Sequence, residues 1–203
     1  MKLSACPGLP TRPVSRTWYR AVQLRHYRSL LATSHTATIP GRFNAGSMAR
    51  PGFEILYFAE NHSVALFEVQ ALLGSPYPGF AFAPNPASSW AVVNVHARLQ
   101  YVIDLTVPAH RRTIRATVQE LTGDWRGYLL RNPTPRLSAP HWSNVPTQRL
   151  GHALHAIPQV EGFMTFSARV ANRKNLIVFP KKLHTGSSLR FRDPVTGAVT
   201  RIT

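Results

Sequence analysis

Gly41-Arg42-Phe43-Asn44 opens the part of the sequence that matters most for the fold, and Glu54–Ala59 and a run from Asn61 to about Leu73 follow it. A glycine next to a cation is typical of a turn that presents a basic side chain. The β-branched and aromatic residues of Glu54–Ala59 predict a buried strand. Asn61 is a suitable N-cap, so we predict a helix from there to about Leu73, ended by Gly74.

Glu68 is the one carboxylate in the middle of that predicted helix, where apolar residues nearly surround it. A carboxylate in such a place is costly unless it is paired or takes part in function. From this observation alone, a salt bridge to one of the many arginines and a role in a site are both open.

The chain has 203 residues, which fits one domain. Residues 1–16 hold three prolines and show no periodicity, so we predict a flexible N-terminal tail and a single domain over 17–203. Helices are also expected at 108–121 and 146–157, and loops at 25–40, 75–89 and 124–143. Further strands are expected at 17–22, 90–97, 100–106, 161–167, 175–179, 187–192 and 198–202. Short strands with three helices predict the α+β class.

Charge is the unusual feature of the composition, with 24 Lys and Arg against 8 Asp and Glu, a net +16. Such an excess predicts an anionic partner, which could be a nucleic acid, an acidic protein or a phosphorylated small molecule. A basic surface without a specific partner is also open. The basic residues are dispersed and show no RNP-like, KH-like or zinc-knuckle pattern, and a nucleic-acid-binding module gives no reason for Glu68 in an apolar helix, so this alternative ranks last.

Localisation and cofactors follow from what the sequence lacks. No apolar run is long enough to span a bilayer, and Cys6 is the single cysteine, so we expect a cytoplasmic protein without a membrane contact. His152 and His155 lie three residues apart, but no third ligand has a matching spacing. We therefore expect no metal site.

An ordered set of motifs resembles the RES domain family, which is named after its Arg, Glu and Ser. Gly41-Arg42-Phe43-Asn44, Leu56-Tyr57-Phe58-Ala59 and Leu66-Phe67-Glu68-Val69 match successive blocks of the family pattern. Trp18-Tyr19-Arg20 matches the opening arginine, and Ser167-Ala168 with the later Asn175 matches the last block. Each motif is weak alone, but the ordered set over about residues 17–182 is specific.

This resemblance implies an ADP-ribosyltransferase-like fold, in which helices flank a mixed, split β-sheet with an NAD cleft between its halves. Members of the family are toxins of bacterial toxin–antitoxin pairs. They cleave the nicotinamide–ribose bond of NAD by hydrolysis or phosphorolysis, and some ADP-ribosylate a protein. NAD is then a substrate, and no cofactor is expected.

The residue types agree with that chemistry. Cleavage of an N-glycosidic bond passes through an oxocarbenium-like state, which a nearby carboxylate stabilises, and Glu68 is our candidate. Arg20 and Arg42 are candidates for binding the pyrophosphate. Tyr57 could stack on the nicotinamide or bond to the ribose. Ser167 has no partner base in the sequence, so we expect it to orient a ribose or phosphate oxygen and not to act as a nucleophile.

The partners implied by the resemblance are NAD and a cognate Xre-type helix-turn-helix antitoxin. The antitoxin would insert into the cleft, and DNA would be contacted only indirectly, through the antitoxin. Because this chain is so basic, we expect the antitoxin to be acidic where it touches it. An ADP-ribosyltransferase reaction on a cellular protein is also open. It breaks the same bond as NAD cleavage and differs only in the molecule that accepts the ADP-ribose group.

Overall fold

A computed structural model describes residues 1–48, 50–77, 79–87, 89–131 and 145–203. The strands are β1 (Thr11–Gln23), β2 (Leu56–Ala59), β3 (Leu72–Gly74), β4 (Phe82–Pro84), β5 (Trp90–Asp104), β6 (Gly162–Phe166), β7 (Lys174–Val178), β8 (Ser188–Arg192) and β9 (Val199–Ile202). The α-helices are α1 (His62–Glu68), α2 (Pro108–Thr113), α3 (Val118–Thr122), α4 (Trp125–Arg131) and α5 (Pro146–His155). Short 3₁₀-helices lie at Leu3–Gly8, Leu24–Ser29, Ser34–Ala37 and Pro180–Lys182. The α+β class is confirmed.

The main sheet has seven strands in the order β1-β2-β7-β6-β5-β8-β9. It is mixed, because β5 and β6 are parallel and the other pairs are antiparallel. Since β1 also pairs with β5, the strands β1, β2, β7, β6 and β5 form a ring. β1 and β2 pair through a single residue pair, Tyr19 opposite Ala59, so this one pair closes the ring of strands.

Two apolar cores lie on the two faces of this sheet. Trp18, Phe58 and Val95 belong to the first, which the 24–31 segment covers. Phe163 and Phe43 belong to the second, which α5 and α3 cover. Most of the predicted strands and helix α5 are confirmed, although their ends differ by a few residues. They could be predicted because their apolar residues recur at strand or helix spacing and pack into one of these cores.

The N-terminal segment differs from the flexible tail that we predicted. Residues 3–8 form a 3₁₀-helix and β1 begins at Thr11. Cys6 is fully buried and Leu9 nearly so, both in the second core. Arg12 also pairs with the buried Asp104 at 2.7 Å. The prolines are accommodated by the 3₁₀ turn and by the irregular register beside Pro13, and the two apolar side chains hold the segment in place.

Several boundaries were also predicted wrongly. The strands expected at 90–97 and 100–106 are one long strand, β5, because alternate burial continues across Arg98 and Leu99, from Val93 to Gln100. The expected helix 108–121 is divided into α2 and α3 at Arg115, whose φ of 50° a right-handed helix does not allow. The 25–40 loop contains two 3₁₀-helices, the 75–89 loop contains β4, and the 124–143 segment begins with α4. Residues 132–144 lie outside the described residues.

No helix in the described ranges combines the length and the apolar character needed to cross a membrane.

His155, near the end of α5, provides a pH-dependent contribution to stability. Its ring centroid lies 4.1 Å from that of Phe53 and 5.0 Å from that of Phe179. Burial first, and then the electrostatic effects of Lys182 and His152, lower the pKa of His155 from 6.5 to about 4. The unfolded chain therefore binds an additional proton between these two values. His155 stabilises the fold above pH 6.5, and this contribution is lost as the pH falls toward 4.

We expect His155→Phe, which keeps the aromatic packing, to reduce the loss of thermal stability on acidification. The measurement is Tm as a function of pH for the wild type, this variant and a control at the exposed His96 (His96→Gln). Identical pH profiles for the wild type and His155→Phe would contradict the assignment.

Candidate active site

A cavity of about 600 Å³ opens beside the end of α1. Its walls come from the Gly41–Asn44 turn, from β2, from the segment between α3 and α4, and from the loop that joins β6 to β7. The residues that line it are Arg42, Phe43, Tyr57, Glu68, Val69, Gln70, Trp90, Thr122, Gly123, Asp124, Trp125, Arg126, Phe166, Ala168, Arg169, Asn175 and Ile177. Three of the five predicted site residues, Arg42, Tyr57 and Glu68, therefore meet in one cavity of the size that small-molecule sites have.

Glu68 is the last residue of α1, and not a mid-helix residue as the sequence had led us to expect. Asn61 caps the helix by accepting a hydrogen bond from Val64 N at 2.9 Å, as predicted. The helix ends early because Gln70 has a φ of 58°, and the chain then enters β3. This early end leaves the Glu68 side chain half-buried at the wall of the cavity, where it is able to meet a ligand.

Three donors hold one oxygen of Glu68. Its Oε1 accepts hydrogen bonds from Ser167 Oγ at 2.5 Å, from Ala168 N at 3.1 Å and from Asn175 Nδ2 at 2.8 Å. Its Oε2 accepts none from the part of the chain that the structure describes. The carboxylate is thus fixed through one oxygen, and the other is available.

Ser167 is buried and does not line the cavity. Besides donating to Glu68, its Oγ accepts hydrogen bonds from Arg169 N at 3.1 Å and Val170 N at 3.0 Å. The serine therefore shapes the loop after β6 and orients the carboxylate. A direct contact of Ser167 with a substrate oxygen remains a prediction.

Arg42 presents its guanidinium to the cavity from a rigid turn. Its Nη1 donates to Gly123 O at 2.5 Å and to Leu121 O at 3.3 Å, at the end of α3. The turn itself is fixed by Gln148 of α5, whose Nε2 donates to Gly41 O at 2.8 Å. Burial lowers the pKa of Arg42, and the negative charge of Glu68 partly opposes this shift.

Tyr57 is packed against the same turn. Its hydroxyl oxygen accepts a hydrogen bond from Phe43 N at 3.1 Å, and its ring stacks on Phe43 with centroids 6.5 Å apart. Burial raises the pKa of Tyr57 to about 12, so at neutral pH the phenol keeps its proton and remains a donor. Its contact with a nicotinamide or a ribose remains a prediction.

Arg20 lies elsewhere, in a second cavity of about 270 Å³. Tyr57, Glu68 and Asn175 line both cavities, whereas Arg20 lines only the smaller one and Arg42 only the larger one. The two arginines therefore do not share one cavity. Arg20 Nε is buried and has no hydrogen-bond partner among the described residues. Burial lowers the pKa of Arg20 to about 10, so it is still a cation at neutral pH.

Several residues of the larger cavity were not predicted as site residues. Asn175 was noted only as a motif match, and Trp90, Trp125, Arg126 and Arg169 were not noted for the site. The Ser-Ala…Asn spacing could have indicated Asn175, but no local pattern distinguishes the others. Among the described residues, no group of three or more His, Cys, Asp or Glu could hold a metal ion.

The chain belongs to the RES domain family, whose model matches residues 17–193. Its fold is similar to that of a chain in the crystal structure of the M. tuberculosis MbcT–MbcA toxin–antitoxin complex. The TM-score is 0.61 and the sequence identity 18%, over 99% of this chain and 91% of that chain, which shows a shared fold. No curated protein matches the sequence significantly.

Proposed function

We propose that this protein is the toxin of a bacterial toxin–antitoxin pair and cleaves the nicotinamide–ribose bond of NAD in the cytoplasm. One observation carries the enzymatic part of the proposal. Glu68 is a carboxylate with one oxygen fixed by three donors and the other available, and it lines the main cavity of a RES domain.

This arrangement suits the loss of nicotinamide. Positive charge develops on the ribose as the bond breaks, and a fixed carboxylate stabilises that charge without reorganising. Since three donors hold Oε1, Oε2 would be the oxygen that faces the ribose. Tyr57, as a neutral phenol on the same wall, would donate to the nicotinamide or to the ribose.

The cations of the cavity suit the pyrophosphate of NAD. Arg42 uses Nη1 for two backbone carbonyls and has further N–H groups with which it could bind a phosphate. Arg126 and Arg169 line the same cavity. Arg20 would bind an anionic group in the smaller cavity, where its Nε has no partner in the described part of the chain. Trp90 and Trp125 offer flat faces for a base.

We also propose that the fold is of the ADP-ribosyltransferase type. The mixed sheet, the single pair that joins β1 to β2 and the cavities on both sides of Glu68 support this assignment.

The antitoxin would be an acidic, Xre-type helix-turn-helix protein that inserts into the cleft and through which the pair reaches DNA. Two observations support a protein partner of this kind. One structural neighbour is a chain of a toxin–antitoxin complex, and this chain has a net charge of +16. Opposite charge favours such an association and accelerates it.

Induction in a bacterial host tests the toxin proposal. We expect growth arrest and loss of cellular NAD when this chain is expressed alone, and neither effect when the adjacent antitoxin gene is expressed with it. Growth arrest with an unchanged NAD pool would contradict the proposed activity.

A second candidate is an ADP-ribosyltransferase that modifies a cellular protein. It is favoured by the smaller cavity, which Glu68 also lines and which leaves room for an acceptor. NAD labelled in its ADP-ribose portion, incubated with the protein and a cell lysate, distinguishes the two. A labelled protein band supports transfer, and free labelled ADP-ribose or its phosphate supports cleavage.

Ser167→Ala is expected to lower kcat for nicotinamide release by about 10- to 100-fold and to change KM little, because the variant loses the hydrogen bond that orients Glu68. Ser187→Ala is the matched control, since Ser187 is equally buried but its hydroxyl has no partner among the described residues. Equal kcat values for the Ser167 variant, the control and the wild type would show that Glu68 does not need this bond.

A further inference from the structure

Five exposed basic side chains lie together on one face of the main sheet, away from both cavities. Arg190 of β8 is opposite His96 of β5 on one side and opposite Arg201 of β9 on the other. Arg98 lies two residues after His96 on β5. Arg192 lies two residues after Arg190 on β8, so the five side chains project from the same side of the sheet. We call this group of five residues the cationic face.

The positive charge of the cationic face is not balanced by the carboxylates of the chain. All eight Asp and Glu side chains have other partners. Asp193, the one nearest in sequence, accepts hydrogen bonds from Val195 N at 2.8 Å and Thr196 N at 3.0 Å. Within the described ranges, the four guanidinium groups of the face take part in no hydrogen bond or ion pair.

Arg190 and Arg201 repel each other in this arrangement. They are directly opposite on β8 and β9, and like charges in that position destabilise a sheet. An anion bound between them removes the repulsion and accepts charge-assisted hydrogen bonds from both guanidinium groups. A polyanion meets further cations at the spacings of a sheet, about 4.8 Å between strands and about 6.8 Å between alternate residues of one strand.

The other side chains of this face suit a phosphate backbone better than an acidic protein surface. Stable protein interfaces are centred on buried apolar or aromatic anchors. Here Arg190 occupies the centre, and the exposed Val199 lies at the margin, opposite Arg192. The exposed hydroxyl groups of Ser15 and Thr17 on β1 extend the face beyond β5, and such groups commonly contact phosphate oxygens.

We infer that the cationic face binds the phosphate backbone of duplex DNA. The face contains no Phe, Tyr or Trp on which the bases of a single strand would stack, so a duplex is favoured. Its cations are dispersed along the sequence, but strand pairing gathers them. The choice of DNA over RNA rests on the proposed function, in which the antitoxin brings the pair to DNA. The direct contact differs from our expectation that this chain reaches DNA only through the antitoxin.

The test is a titration of a short DNA duplex with the purified full chain, followed by fluorescence anisotropy at several salt concentrations. The face variant carries Arg98→Gln, Arg190→Gln, Arg192→Gln and Arg201→Gln. The control variant has the same net charge and replaces four exposed arginines from other parts of the chain with glutamine, namely Arg25, Arg28, Arg112 and Arg115.

We expect the slope of log K against log salt concentration to become shallower by about 3 to 4 in the face variant, because each lost phosphate contact removes about 0.9. The slope of the control variant should change by less than about 1. At about 100 mM salt, the face variant should bind the duplex at least about 30-fold more weakly than the control. Circular dichroism checks that both variants fold. If the face variant does not fold, Arg190→Gln and Arg201→Gln replace it as single variants, each with an expected slope change of about 1.

Several results would overturn the inference. They are a wild type that binds no DNA, an equal loss of affinity in both variants, and binding of single-stranded DNA or duplex RNA that is tenfold tighter than that of duplex DNA. A face variant that binds DNA like the wild type but no longer binds the purified antitoxin would assign the face to an acidic protein instead. Both variants should release nicotinamide at the wild-type rate, since their residues line neither cavity. A wild type that cleaves no NAD leaves the DNA titration fully interpretable, so the two proposals fail separately.

Discussion

Glu68→Gln is expected to reduce kcat for nicotinamide release by about 1000-fold, or roughly 4 kcal/mol of transition-state stabilisation. The substitution removes the negative charge that opposes the developing positive charge on the ribose. It keeps an oxygen that is able to accept from Ser167, Ala168 and Asn175, so the local structure should persist. A single-turnover assay of nicotinamide release measures the effect directly.

Glu60→Gln is the matched control, because Glu60 is a carboxylate just before α1 that pairs with an exposed Arg173 at 3.3 Å. This variant should release nicotinamide at the wild-type rate, and circular dichroism should show both variants folded. A folded Glu68→Gln protein with wild-type kcat would remove Glu68 from the catalytic role.

Glu161→Gln is expected to destabilise the protein by about 3 kcal/mol, which corresponds to a fall in Tm of roughly 10 °C. Glu161 is fully buried just before β6. Its Oε2 accepts from Gln100 N at 2.5 Å and Tyr101 N at 2.9 Å, and its Oε1 accepts from His184 N at 2.8 Å. A glutamine would direct an NH₂ group at one or more of these N–H donors, leaving them buried and unpaired.

Thermal and denaturant unfolding of the wild type, Glu161→Gln and Glu60→Gln measure this effect. The Glu60 variant removes a half-exposed ion pair, so its change in unfolding free energy should stay within about 1 kcal/mol. Equal stability of the two variants would contradict the structural role of Glu161.

The main motifs could be predicted from the sequence because each depends on local chemistry. Asn61 was recognisable as an N-cap from its type and position, and β2 from its apolar and aromatic residues. Arg42, Tyr57 and Glu68 could be expected to meet because they belong to one ordered set of motifs, and the structure brings them to one cavity.

Other features depended on packing that sequence patterns do not contain. The end of α1 at Glu68 is set by the left-handed backbone at Gln70, a residue type that rarely adopts it. The order of the N-terminal segment comes from the burial of Cys6 and Leu9 against distant elements. The cavity wall formed by Trp125 and Arg126 follows from where α3 and α4 lie, for which no local motif exists.

Arg20 and Ser167 illustrate the limit of reading roles from residue type. Arg20 and Arg42 were both expected to bind the pyrophosphate, but they line different cavities, since Arg20 lies on β1 and Arg42 lies in the Gly41–Asn44 turn. Ser167 was expected to orient a substrate oxygen, which remains a prediction, and its type did not indicate that its hydroxyl would bond to Glu68 and to its own loop. The cavity that Arg20 lines and the groups that the Ser167 hydroxyl contacts both depend on side-chain orientation, which the residue type does not give.

Nicotinamide release by the purified protein tests the central claim most directly. NAD is incubated with the wild type, Glu68→Gln and Glu60→Gln, with and without inorganic phosphate, and nicotinamide and the ADP-ribose product are separated by chromatography. We expect release by the wild type and the Glu60 variant and almost none by the Glu68 variant, with free ADP-ribose marking hydrolysis and a phosphorylated product marking phosphorolysis. No release under either condition, together with no binding of NAD, would contradict the account.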